Sequence, residues 1–566
     1  MNDRLPDARR RTGQRTWFRR RATIALAMAA VLFASTAVTA TAEVTTTAGA
    51  RPGATTAAEA RCSADHLTAG LSIPRLKVDS AVLHADGSYL PPDSTEPVTG
   101  LPSFCAVALT QTDSAGNPIH IAVWLPTDWN GRFQGVGGGG FSCGIGYANN
   151  SQSSPGLSET IRDGYATAGT DCGVPLSDAV TGRWALDSNG RLDKPLIENF
   201  VSAGIHGMTV VGKAVTELFY SDEIQYSYFM GCSTGGREAL MEAQRYPADY
   251  DGIVSGAPAI NWTSWVPAAI WPPLVMKQLD NALTTCKQEA FTQAVVQACD
   301  ADDGVTDGII SDLASCEWNA DELVGASTPC GTITSTDAIV MNEIWQGPEV
   351  AGTLPLWHGL ARGASPSMIA GTTTENGVTT PQPFGLPVGW LGTWLQRDPS
   401  WDWTTLTPAR FNTLFLQSNL QFSSTIDTND PDLSAFKRHG GKLLMWHGLA
   451  DPLIPPQGSV DYYRDVQQEM GGPGRTSSFA RLFLAPGAAH CLSAAGPAPD
   501  DPMAALARWV EDGQAPRSIP ATLTDPADDV TLSRPLCAYP LVARYTGQGS
   551  TREAQNFACA ASYKTR

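Results

Sequence analysis

Tyr228-Phe229-Met230-Gly231-Cys232-Ser233-Thr234-Gly235-Gly236-Arg237 is a β-rich run that breaks into a Gly-x-Ser-x-Gly turn and continues as a helix-like segment to Arg245. A sharp strand-to-helix turn of this kind projects a serine hydroxyl above a sheet, and its small flanking residues tolerate the strained backbone. Gly and Ser also fall into five-residue patterns by chance. The weight therefore rests on context: a strand precedes this turn and a helix follows it.

Upstream, His120–Leu125 and Arg132–Val136 are short β-type runs bounded by Pro, Asn and Gly, and the second leads into Gly137-Gly138-Gly139-Gly140-Phe141. Consecutive glycines let backbone N–H groups approach a ligand closely, which suits one half of an oxyanion hole; a flexible turn is the bland reading. Tyr165–Asp171 is a further strand candidate. Ile197–Tyr220 carries apolar residues at helical spacing over a length no strand reaches. Downstream, Gly252–Pro258 reads as a buried strand. From about Asn261 to Pro431 the chain is rich in Trp, Thr, Pro and Gly with no strand and helix rhythm, as expected of an insertion lying over a site.

The rhythm returns at Lys442–Pro452, a strand running into a loop that carries Asp451, then at Ser478–Leu484, and Gly487-Ala488-Ala489-His490-Cys491 follows. A serine, an aspartate and a histidine thus lie in that order, each just beyond a strand, which is the order of α/β hydrolases. Serine needs an imidazole to take its proton and a carboxylate to hold the imidazole's tautomer; Ser233, His490 and Asp451 supply those roles. Of the eight histidines, His447 and His206 are the rivals, and both read as structural because they sit inside a strand end and a long helix. Cys232 precedes the serine and Cys491 follows the histidine. If the two catalytic residues face each other, their neighbours lie within disulfide reach.

The expected fold is therefore α/β, a mainly parallel sheet with helices on both faces and a large inserted lid. The expected boundaries are a signal peptide at 1–42, a disordered linker at 43–60, catalytic-domain halves at 61–260 and 431–566, and a lid at 261–430. The signal reading rests on Arg19-Arg20-Arg21, the apolar run Ala22–Ala34 and the small residues Ala40-Thr41-Ala42. Its removal takes away eight Arg and two Asp, moving the net charge from −18 to about −24. So acidic a surface argues against nucleic acid as a partner. Twelve cysteines without a Cys-x-x-Cys pair read as disulfides of an exported, extracellular protein. In the insertion, Asp300, Asp302, Asp303 and Asp307 with Gly304 and Gly308 form an acidic loop between Cys299 and Cys316. It is suited to a hard divalent cation, although a solvated acidic loop has the same composition.

Together these residues resemble the tannase and feruloyl esterase family. Its mark is a Cys-Ser pair and a His-Cys pair bridged across the triad, here Cys232-Ser233 and His490-Cys491. Trp446-His447-Gly448-Leu449-Ala450-Asp451, the acidic loop, and Arg534–Pro540 with Phe557–Cys559 are also similar. The resemblance implies a secreted serine carboxylesterase acting on hydroxycinnamate or galloyl esters, with no organic cofactor and no membrane partner. Substrates attached to plant polysaccharide or tannin fit the same reading. The oxyanion donors would be the N–H groups of Thr234 and of a glycine near Gly139. It implies a structural calcium held by the carboxylates of Asp300, Asp303 and Asp307 and the carbonyls of Val305 and Ile309. It also implies the pairs Cys62–Cys105, Cys299–Cys316 and Cys537–Cys559. The connectivity of Cys143, Cys172, Cys286 and Cys330 stays open, with Cys143–Cys172 and Cys286–Cys330 the preferred choice. The alternative within the family is a terephthalate monoester hydrolase-like esterase; that branch uses a lid arginine for its substrate's free carboxylate, which has no counterpart here near Gly385 to Trp394, although Arg397 is close. The alternative of another class is a non-catalytic carbohydrate- or surface-binding protein on the same scaffold.

Overall fold

The sheet is built around three strands that are buried almost end to end: β6 (Tyr226–Cys232), β7 (Gly252–Gly256) and β8 (Lys442–Gly448). Near-continuous apolar strands of this kind are covered on both faces, and successive side chains serve opposite layers. In β6, Phe229 packs in the larger core, while Tyr228, Met230 and Cys232 pack in a second core on the other face. The remaining strands are β1 (Leu76–His84), β2 (Phe104–Thr112), β3 (Pro118–Pro126), β4 (Arg132–Val136), β5 (Ala166–Thr170) and β9 (Ala480–Ala485). The order across the sheet is β1-β2-β3-β5-β4-β6-β7-β8-β9. The pairs from β1 to β5 are antiparallel and all later ones parallel. The edge strand β1 alternates partly buried and exposed residues, as expected where one face meets water.

The computed structural model describes residues 58–92, 94–148, 155–350, 352–525 and 530–562. The expected signal segment, and the expected linker as far as residue 57, lie outside them; residues 58–60 are helical. Helices α1 (Gly204–Tyr220) and α2 (Thr234–Arg245) contribute to the larger core, and α9 (Pro502–Asp512) to the smaller one. The long helical segment expected from Ile197 is observed, but its first part is irregular. A helical turn at Lys194–Glu198 passes through a π-helical stretch at Asn199–Ala203 before α1 begins.

The chain leaves the sheet at Gly256 and returns at Lys442, close to the expected insertion. Its content differs from expectation, because it is substantially helical. It holds α3 (Trp262–Ala268), α4 (Trp271–Gln278), α5 (Thr285–Cys299), α6 (Ser335–Gln346) and α7 (Pro408–Ile426), with short hairpins between them. The buried positions of α5 are Gln288, Phe291, Val295 and Cys299. That is a helical stripe whose first member is polar. The NH2 of Gln288 donates to the carbonyls of Leu283 (2.7 Å) and Ala370 (2.6 Å), which holds a polar residue in the stripe and hid it from a hydrophobic count. After α9, the hairpin of β10 (Ser518–Asp525) and β11 (Val530–Cys537) and that of β12 (Leu541–Tyr545) and β13 (Phe557–Ala561) close the fold. Six disulfides join Cys62–Cys105, Cys143–Cys172, Cys232–Cys491, Cys286–Cys330, Cys299–Cys316 and Cys537–Cys559.

Candidate active site

Ser233 stands between β6 and α2 with φ 64° and ψ −122°, a conformation that a residue with a side chain holds only where its surroundings enforce it. The enforcement is local. The Ser233 N–H donates to the Gly256 carbonyl at 3.0 Å, and the Ser233 carbonyl accepts from the N–H groups of Arg237 (3.0 Å) and Ala259 (3.1 Å). A Cβ at Gly231 would stand 2.5 Å from the Gly235 carbonyl, and one at Gly236 would stand 2.4 Å from the Gly256 oxygen. Glycine is required at both positions by this close approach.

Asp451, in the loop after β8, is fully buried, and its carboxylate is saturated. Oδ1 accepts the backbone N–H groups of Leu453 (2.8 Å) and Ile454 (2.9 Å). Oδ2 faces His490 Nδ1 at 2.7 Å and His447 Nε2 at 3.1 Å. Burial alone would raise this carboxyl, but the imidazoles of His490 and His447 outweigh it and hold the pKa well below the usual carboxylate range. An ionised carboxylate only accepts, so Nδ1 of His490 carries a proton and Nε2 is left with its lone pair. His490, whose side chain is 15 % exposed, is joined to the serine's neighbourhood by the Cys232–Cys491 bridge, with Cα atoms 6.0 Å apart.

His447 is buried, and Nε2 also faces the Ile454 carbonyl at 3.0 Å, while Nδ1 meets Ser459 Oγ at 2.8 Å. With two acceptors at Nε2, that nitrogen bears hydrogen, and the Ser459 hydroxyl donates to Nδ1 in the neutral ring. His447 is thus a second imidazole on Asp451, the expected triad acid. The i,i+4 spacing of His447 and Asp451 was visible in the sequence. The turn that brings them together was not.

The glycine loop lies against the start of α2. Gly137 N–H donates to the Met230 carbonyl (3.1 Å), Gly138 accepts from Gly235 N–H (2.9 Å), and Thr234 Oγ1 donates to the Gly140 carbonyl (2.7 Å). Gly138 N–H donates to Oε2 of the fully buried Glu238 at 2.9 Å, so a carboxyl backs this loop. Thr234 is the first residue of α2, where an N–H has no intrahelical acceptor. Gly139 N–H, by contrast, donates to the Ser142 carbonyl at 2.9 Å. Its use as an oxyanion donor requires that bond to be released or shared. Phe141, next in the chain, packs on Trp262, Trp390 and Trp394, linking the loop to the insertion.

Residues 105–560 match the family model described as "Tannase and feruloyl esterase". The chain belongs to the tannase and feruloyl esterase family. A probable feruloyl esterase of Arthroderma benhamiae is 43 % identical over 483 residues, covering 84 % of this chain and 88 % of that protein. The mono(2-hydroxyethyl) terephthalate hydrolase of Piscinibacter sakaiensis is 30 % identical, covering 83 % and 86 %. The crystal structure of feruloyl esterase B from Aspergillus oryzae superposes with a TM-score of 0.77 at 26 % identity, covering 89 % of this chain and all of that one. These likenesses agree with the mainly parallel sheet carrying helices on both faces.

In the acidic loop, the aspartates expected to hold the family's calcium mostly satisfy local amides. Asp300 accepts from Asp307 and Gly308 N–H (both 3.0 Å), and Asp303 from Val305 (3.0 Å) and Ser311 (3.1 Å). Asp307 accepts from Ile309 N–H (3.2 Å) and from the Arg534 guanidinium of β11. Burial raises the pKa of both Asp303 and Asp307, with Asp307 adding to the shift on Asp303 and Asp300 to that on Asp307. Val305 and Ile309 are buried, and among the described residues their carbonyls accept no hydrogen bond. The donor set therefore fits a calcium ion in kind: carboxylates short of cations and two unpaired carbonyls. Arg397 follows a π-helical segment (Trp390–Gln396) with φ 61°. Its guanidinium lies 5.9 Å from the Phe422 ring centroid, and its buried Nη1 has no partner among the described residues.

Proposed function

We propose that this protein is a secreted serine carboxylesterase that hydrolyses esters of aromatic acids, of the hydroxycinnamate or galloyl class, through an acyl-enzyme. One observation carries the reading. A serine held at φ 64° in the sheet-to-helix turn is tied by Cys232–Cys491 to a histidine whose Nδ1 is hydrogen-bonded to a buried, saturated aspartate. His490 Nε2 removes the Ser233 Oγ proton as Oγ attacks the ester carbonyl carbon, and Asp451 stabilises the imidazolium. Thr234 N–H and a glycine-loop N–H, at Gly139 once freed from Ser142, bind the oxyanion; one such donor is worth about 3 kcal/mol of transition-state stabilisation. As the tetrahedral adduct collapses, the C–O bond to the alcohol breaks and His490 returns the proton to the leaving oxygen. Water then adds to the acyl carbon, giving its proton to His490. The acid departs with Ser233 Oγ reprotonated.

Six disulfides support an oxidising, extracellular location. Among the described residues no helix is long and apolar enough to cross a membrane. When bound, a calcium ion would be held by Asp300, Asp303, Asp307 and the carbonyls of Val305 and Ile309, where it would compensate the loop's charge. None of these residues belongs to the triad, so the ion's role is structural.

A second reading, a terephthalate monoesterase, is favoured by the unpartnered Arg397 Nη1 in the insertion, a cation suited to a free carboxylate, and by the likeness to the terephthalate enzyme. Methyl ferulate, a gallate ester and a terephthalate monoester compared by kcat/KM test the choice. The main reading expects the first or second to lead by at least tenfold. A leading terephthalate monoester overturns the main reading in favour of the second, and no turnover of any of the three leaves the binding-protein alternative.

A further inference from the structure

Among the described residues, His206, Glu242 and Asp249 are the one group of three or more His, Cys, Asp or Glu side chains whose ligand atoms all lie within 4.8 Å of one another. They come from three separate places behind the nucleophile: the first turn of α1, the third turn of α2 and the loop entering β7. His206 Nδ1 faces Asp249 Oδ2 at 2.7 Å, and the imidazole is fixed in plane by stacking on Tyr246, with centroids 3.8 Å apart and planes at 4°. Glu242 is the unexplained member. Its side chain is completely buried and points into this cluster, where no donor reaches either carboxylate oxygen and the facing group is the Asp249 carboxylate. Two carboxylates facing each other at a buried site are costly, so the pair implies either a shared proton or a cation between them.

Lys213 donates its ammonium to the backbone carbonyl of Asp249 and, among the described residues, forms no ion pair with Glu242. On the open side the His206 side chain is 35 % and that of Asp249 19 % exposed, which leaves the pair accessible from solvent. An imidazole and two carboxylates form a borderline donor set. It suits zinc-type cations better than calcium or magnesium, which prefer oxygen alone.

We propose that His206, Glu242 and Asp249 bind one divalent cation of the zinc type, distinct from the calcium loop and independent of the esterase reading. Ligand atoms about 2.0–2.2 Å from one ion stand roughly 3–3.5 Å apart, so the ion enters by opening the His206–Asp249 contact by less than about 1 Å. The ion would clasp α1, α2 and the β7 entry together. Glu242 lies nine residues beyond Ser233 on the same helix, about 14 Å at helical rise, so the effect belongs to stability and not to the chemical step. The competing occupant is a proton: burial first, then the neighbouring Asp249 carboxylate, raises the Glu242 carboxyl well above its ordinary range, against Lys213.

The test uses the full protein, stripped with chelator and then held in excess Ca2+, so that the acidic loop is excluded from the readout. Zn2+ is added by isothermal titration, and the melting temperature is followed. The expected result is one Zn2+ per chain, a raised Tm and an unchanged kcat. His206→Phe keeps the stack on Tyr246 while removing the ligand nitrogen, and should weaken Zn2+ binding at least tenfold. Glu242→Gln should do the same. If the unaltered protein takes up no Zn2+, the pair holds a proton and the proposal fails. It fails equally if His206→Phe binds Zn2+ as the parent does, which would place the ion at another His–carboxylate pair such as His120–Asp171 or His358–Asp461.

Discussion

Asp451 shows how much of the candidate chemistry depends on groups that never touch a substrate. Four donors converge on its carboxylate, and two of them, the Leu453 and Ile454 amides, come from the loop that immediately follows it. Asp451→Asn preserves the shape but offers His490 Nδ1 a donor in place of an acceptor, which favours the wrong tautomer. The expected loss is about 10⁴-fold in kcat with KM little changed. On the proposed mechanism, His447 acts through Asp451 as a positioning residue. His447→Ala removes one of the four donors and leaves Ser459 Oγ unpaired, so kcat should fall by about tenfold, with a lowered Tm. A variant that loses Tm but keeps the parent's kcat would reduce His447 to packing. The three candidate triad positions were legible because each is a reactive residue just past a strand, in the order Ser, Asp, His. The role of His447 was not, since a histidine inside an apolar strand end gives no sign of which acid it will meet.

Two elements bind the candidate site to its surroundings. The Cys232–Cys491 bridge closes a loop with a sequence separation of 259, for which chain entropy suggests about 5.6 kcal/mol of stabilisation as an upper bound. Cys232→Ser with Cys491→Ser should lower Tm and depress kcat more than KM, because it frees the loop carrying His490 from the turn carrying Ser233. Equal kinetics in the double variant would make the bridge purely structural. The acidic loop is the second element. On the calcium proposal, chelation leaves buried carboxylates facing one another with Arg534 as their cation, so Tm should fall while the triad keeps its geometry. A melting curve indifferent to chelator, together with metal analysis that finds no calcium, contradicts the proposal. Parallel strands and their loops were readable as apolar runs ending in small residues. The helices of the insertion were not, because α5 buries Gln288 within its apolar stripe, the short α3 carries the internal Pro267, and α4 opens on Trp271-Pro272-Pro273, which reads as a turn.

Across the molecule, two buried carboxyls give stability opposite dependences on pH. Asp451 is depressed in the fold, so its contribution is complete above the ordinary aspartate range and is lost as pH falls through the native pKa. Glu238, behind the glycine loop, is pushed up to about 7 by burial that Arg237 and the Gly138 amide only partly offset. Between its ordinary value of 4.5 and that point, the native state holds a proton that the unfolded state has released. Stability from this group therefore declines as pH rises across that window, by on the order of 3 kcal/mol. Denaturant melts at several pH values should show a steeper decline in the parent than in Glu238→Gln, where Glu242 and Asp427, also raised by burial, keep their share; the same slope in both would assign it elsewhere. Such groups escape sequence reading because burial on every side of α2 is a property of the assembled sheet, insertion and helices together. The central claim is that Ser233 is acylated during turnover. Rapid-quench mass spectrometry with methyl ferulate should find one feruloyl adduct on the peptide containing Ser233. Ser233→Ala should lack the adduct and lose at least about 10⁴-fold in kcat/KM with its Tm retained. Parent-like turnover in that variant, or the acyl group on another residue, would contradict the account.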